Sequence, residues 1–191
     1  MHREPPTVPV RPPVFLGCLG ALLAVLAFAS AAVFLARFLD SGADSGRQAL
    51  DPAESYARGT VTYVPRHNFY VVREADGTFL ALSDLDAANR AAATRCRVAQ
   101  IAPADPILPG LLERLTSRMS PQAAGSTLLL RESCNRAVYD VTGLRLDGDG
   151  PNLDRLAVGV DAQGRLTVDV TRRTCTERTS AQLFAPIVCP K

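Results

Sequence analysis

Five cysteines and two histidines set the limits of the chemistry this 191-residue chain can do. Cys96, Cys134, Cys175 and Cys189 lie in its polar part, and Cys18 lies in an apolar run. Four thiols can bind a metal or pair as disulfides. Zinc sites draw on close cysteine pairs or nearby histidines, and here no CxxC occurs and no histidine stands beside any cysteine. Two disulfides in an oxidising compartment are therefore expected, with three pairings open. Outside the N-terminal His2, the single imidazole is His67, so a His-rich metal site is excluded. A hydrolase built on His67 lacks a GxSxG elbow or any other nucleophile context. Glu132 and Asp140 could form an acid–base pair, but no electrophile or cofactor motif accompanies them. Asp147–Asn152 looks like a calcium loop, yet Asn152 stands where an EF-type loop needs its glycine, and Pro151 where it needs an oxygen donor. A plain turn is expected there.

These residues must be positioned by a chain of ordinary globular composition, 47% hydrophobic and 21% charged, with net charge +2. Its basic side is twenty scattered arginines and Lys191, which is no footprint for nucleic acid. From Val14 to Ala36 no charge occurs, and 23 residues at about 1.5 Å rise exceed a hydrocarbon core of about 30 Å. Residues 1–13 hold five prolines and read as an exposed tail. Residues 14–39 read as a single transmembrane anchor in the bilayer. A cleaved signal peptide is the rival, since Ala29-Ser30-Ala31 has a small-x-small form, but the apolar run continues to Phe38. Arg3 and Arg11 balance Arg37 and Arg47, so charge does not orient the span. The cysteines point to a single-pass cell-membrane protein whose domain is extracytoplasmic.

Residues 40–59 are small and polar and read as a linker. Beyond them the pattern is mainly β. Strands are expected at 60–64, 69–73, 78–82, 97–101, 127–130, 137–141, 156–160 and 166–170, with Asp76-Gly77 as a hairpin turn. Leu108, Leu111, Leu112, Leu115 and Met119 recur at helical spacing, giving one inserted helix limited by Pro121. The expected fold is a small antiparallel β-sandwich or barrel over 60–170, followed by an extension, 171–191.

Two stretches carry a resemblance. FYVVREADGTFLALSDL (69–85) and RESCNRAVYD (131–140), followed by Thr142-Gly143, Gly150-Pro151 and the DAQGRLTV hairpin, resemble the membrane-anchored Rieske iron–sulfur proteins. In that family a hairpin leads into a CTHLGC box, and a CPCHGSxYD box is followed by a Gly-Pro loop. The resemblance implies a Rieske-like fold over about 59–169. Register from Tyr139-Asp140 puts Cys134 on the family's disulfide cysteine, Glu132 on a ligand cysteine and Asn135 on a ligand histidine. Cys96-Arg97-Val98 matches the end of the first box, and Ala91 and Ala93 fall on its ligand cysteine and histidine. A Rieske cluster needs two imidazoles and two thiolates. The ligand positions are degenerate, and the expectation is a domain with no cofactor, no metal and no enzymatic role. The resemblance implies a Cys96–Cys134 disulfide, which leaves Cys175–Cys189 to close the extension. It further implies an accessory subunit of a membrane electron-transfer complex, with the complex's other subunits as partners. Two alternatives stand beside it: an electron-transfer protein with an atypical two-iron two-sulfur site, and a free-standing extracytoplasmic binding module.

Overall fold

A computed structural model of the chain describes residues 23–35 and 46–190. The chain divides into two units, 1–44 and 45–191. In the first, 23–35 form a helix, α1, with every side chain exposed. Those thirteen residues extend about 20 Å, and among the described residues no helix is long and apolar enough to cross a membrane. The remainder of the expected anchor (14–22 and 36–39), the tail 1–13 and Cys18 lie outside the described residues.

Alternation of apolar residues builds the second unit. Strands β1 (Arg47–Pro52), β2 (Thr60–Val64), β3 (Phe69–Arg73), β4 (Phe79–Asp86), β9 (Leu153–Val160) and β10 (Arg165–Arg178) form one antiparallel sheet in the order β1-β10-β9-β4-β3-β2. The far half of β10 also pairs with β8 (Gly150–Pro151) and β11 (Ala185–Ile187). A second sheet joins β5 (Val98–Gln100), β6 (Leu130–Glu132) and β7 (Val138–Tyr139). Two short helices complete the unit, α2 (Ala87–Ala91) and α3 (Leu108–Leu115).

Successive side chains on a strand face opposite ways, so β3 buries both faces. Tyr70 and Val72 join Leu82, Val98, Leu130, Tyr139 and Leu153 between the two sheets. Phe69 and Val71 join Tyr56, Ala81, Leu156, Leu166 and Val168 on the other side. A third cluster, with Ile101, Leu129, Val138, Leu144 and Leu146, takes Leu108 and the apolar face of α3.

The mainly β antiparallel architecture and most strand positions follow the sequence pattern; the strand expected at 127–130 lies at Leu130–Glu132, and four larger corrections apply. The linker expected over 40–59 ends before Arg47: β1 pairs Arg47 with Asp169 and Ala49 with Thr167, and Tyr56 is buried. An edge strand needs no apolar face of its own, because backbone hydrogen bonds hold it. The extension expected from 171 starts in mid-strand, since β10 runs unbroken to Arg178, past a register shift between Asp169 and Arg173. The helix expected to Met119 ends at Leu115 and tightens into a 3-10 turn. The expected single helix is joined by α2, nucleated by Asp86, whose side chain accepts from the Asn89 amide.

Candidate functional site

Two loops meet at one end of the domain. The first leaves β4, forms α2, turns at Ala93 (φ +50°) and enters β5; the second is the tight turn between β6 and β7, with Arg136 at φ +63°. A Cys96–Cys134 disulfide joins them, with Cα atoms 5.3 Å apart. Below it, Val98 pairs with Glu132, and the Ser133 amide donates to the Arg97 carbonyl at 3.0 Å.

Glu132 is buried at 1% exposure, and its carboxylate is spent on its own turn. Oε1 accepts from the Cys134 amide at 2.7 Å and Oε2 from the Asn135 amide at 2.5 Å. Charge-assisted bonds of this kind fix the turn that presents Cys134. Sulfurs of Cys96 and Cys134 and an oxygen of Glu132 lie within 4.8 Å of one another. In the disulfide form that trio carries no thiolate, and the carboxylate oxygens already have partners. The residues do not fit a two-iron two-sulfur group either: Glu132 and Asn135 bring a carboxylate and an amide, and Ala91 and Ala93 are exposed methyl groups.

The first loop is held by residues that the sequence did not announce. Asp86, 3% exposed, accepts from the Tyr139 hydroxyl at 2.9 Å and from the Asn89 amide and side chain at 2.7 and 3.1 Å. Burial, then the Asp86 charge, raises the Tyr139 phenol far above its ordinary value, so it stays a donor. Arg90 on α2 pairs with the fully buried Asp154 of β9 and reaches Sγ of Cys175 at 3.5 Å and the Pro190 carbonyl at 3.4 Å. Burial lifts the Asp154 carboxyl, and Arg90 opposes that rise. The second disulfide, Cys175–Cys189, thus lies beside α2, and the C-terminal segment braces the loop that bears Ala91 and Ala93.

Asp84 and Arg97 tie the same end to the main sheet. Arg97 Nη1 lies 2.7 and 2.6 Å from the two oxygens of buried Asp84, which also accepts from the Tyr63 hydroxyl at 3.1 Å. Tyr70 donates to the Val98 carbonyl at 2.8 Å, and burial pushes its phenol up to about 12. His67, half-buried in the β2–β3 turn, lines a cleft of about 200 Å³ with Asp84 and Arg97. One imidazole is therefore nearer the disulfide end than its sequence position suggests, stacked 6.2 Å from Phe69.

Comparison with protein-family models, with curated proteins and with solved structures finds no match.

The remaining candidates resolve as turns. Asp140 is fully buried, and its carboxylate accepts from Ser120 N, Thr142 N, Thr142 Oγ1 and Leu144 N. With four donors engaged it is a structural acceptor, and Glu132 is equally committed, so the acid–base reading has no free group. Asp147 takes Arg145 and the Val138 amide. Asn152 bridges Arg145 N, Thr176 Oγ1 and Leu183 O. The Asp147–Asn152 segment bends over 147–149 and then pairs Gly150–Pro151 with β10, so it is part turn and part strand where a plain turn was expected.

Proposed function

We propose that the chain is a non-catalytic, cluster-less Rieske-like subunit, anchored in a cell membrane by residues 14–39. Its β domain lies on the extracytoplasmic side as an accessory or structural component of a membrane electron-transfer complex. One observation carries the reading. A disulfide cross-links the β4–β5 and β6–β7 loops where the resemblance puts the family's disulfide, while the ligand-equivalent Glu132 is folded onto backbone amides. In a cluster-bearing relative, metal and disulfide together hold two such loops. Here the disulfide, the Glu132 clamp, the Asp86–Tyr139 bond and the Arg90–Asp154 pair supply the cross-linking. The partner class comes from the resemblance alone, since fold does not fix function.

Gentle solubilisation of native membranes followed by affinity capture of the tagged full chain tests this. Membrane subunits that carry redox cofactors are expected in the captured material in fixed ratio. Recovery of the chain alone contradicts the assignment. The free-standing binding module is the second reading, and one observation favours it: a cleft beside Glu74 whose lining includes no residue of either loop.

A further inference from the structure

We infer that the cleft between the β2–β3 hairpin and the 122–128 segment is a binding site for a small organic ammonium ion with an apolar body, held by the Glu74 carboxylate. The cleft encloses about 310 Å³, at the lower end of the range for small-molecule pockets. Its apolar floor is Val61, Val72, Leu128 and Val141, which belong to or pack on the core between the two sheets. Here that core opens to solvent past exposed Ala124 and Gly125.

Glu74 supplies the polar contact. It follows β3 directly, and its amide donates to the Thr78 carbonyl at 2.8 Å, so the extended alternation continues. Tyr70, Val72 and Glu74 then share one face, which aims the carboxyl along the same side as the cleft floor. Glu74 is 9% exposed, and among the described residues Oε1 has no hydrogen-bond partner. A buried carboxylate without a partner is costly, and natural proteins rarely keep one without a use.

The sign of the ligand follows from the charges that face Glu74. Asp76 and Asp140 oppose its ionisation, and Arg155 favours it. Arg155 is itself occupied, donating to the Thr142 carbonyl at 3.0 Å and lying over the Phe184 ring. Arg73 also lines the cleft, but by strand alternation its side chain takes the other face of β3, donating to the Ala53 and Tyr56 carbonyls and lying over the Phe79 ring. Glu74 is therefore the charged group on the face of the cleft floor, which suits an ammonium group. The inference is independent of membrane assembly, so its failure and that of the accessory-subunit reading are distinguishable.

Benzylammonium and its neutral counterpart benzyl alcohol are the probes, titrated into the full chain in uncharged detergent while the methyl resonances of Val61, Val72, Leu128 and Val141 are followed. Saturable shifts with benzylammonium are expected. Binding weaker by about tenfold or more is expected for benzyl alcohol and for Glu74→Gln, as for loss of a hydrogen bond to a charged group. Ser126→Trp, which fills the mouth and leaves Glu74 intact, should abolish the shifts. Absence of saturable shifts, equal affinity for the two probes, or unchanged binding in Glu74→Gln overturns the inference.

Discussion

Removing the Cys96–Cys134 bridge tests how much that covalent bond contributes to the joining of the two loops. The bridge spans 38 positions of sequence. The chain-entropy relation assigns a closed loop of that size about 4 kcal/mol, against about 3 kcal/mol for the 14-position loop of Cys175–Cys189. For a domain of this size, 4 kcal/mol corresponds to a fall in Tm of about 10–15 °C. Glu132, the Ser133–Arg97 backbone bond and the Tyr70–Val98 bond survive the substitution, so the loops stay joined and the variant folds. Cys96→Ala with Cys134→Ser is compared with Cys175→Ala with Cys189→Ser, by urea unfolding and thermal scans in uncharged detergent. The first pair should lose more stability than the second, without loss of β structure. An unchanged Tm in the first pair, or a larger loss in the second, refutes the reasoning.

Three further outcomes follow from single side chains. Arg97→Ala leaves the Asp84 carboxylate buried with only Tyr63 as a partner, and should cost about 2 kcal/mol in denaturant unfolding; Arg97 is half exposed, which keeps the loss below that of a fully buried pair. Burial lifts the Glu74 carboxyl above its ordinary 4.5, so the folded state binds the proton more tightly than the unfolded state. The Glu74 contribution to stability should therefore be fully present below about pH 4.5 and be lost as pH rises through the lifted value. Glu74→Gln should flatten that decline and be the more stable form at neutral pH, as read from unfolding midpoints across pH. Gly143→Ala should cost about 2 kcal/mol, because Gly143 holds φ +83° and a Cβ would sit 3.1 Å from both Leu153 and Leu82.

Strands rich in β-branched and aromatic residues were legible in the sequence. Phe69–Arg73, buried on both faces, and its hairpin partner needed only that enrichment and Asp76-Gly77, and the leucine spacing of α3 needed only helical period. β1 escaped because Leu50 is the one large apolar residue among its six and packs on the core, the strand being otherwise held by backbone bonds to β10. α2 escaped because five residues show no period, and only Asp86 three places before Asn89 marks its start. At the site, the cysteines could be read as disulfides, but the supports for their loops are long-range. Arg90 and Asp154 stand 64 positions apart, and Tyr139 and Asp86 stand 53 apart. No local pattern pairs such residues. Glu132 was singled out as a lost ligand position, and its second role, clamping two amides, depends on a turn that only the folded backbone reveals.

The two loops bring together a disulfide and a carboxylate already bonded to backbone amides, which is no competent donor set for a cluster. Iron and acid-labile sulfide, quantified per chain in the purified, folded protein, test that most directly. Neither element is expected above background, and the protein should be colourless. Stoichiometric iron and sulfide with visible charge-transfer bands would contradict that expectation.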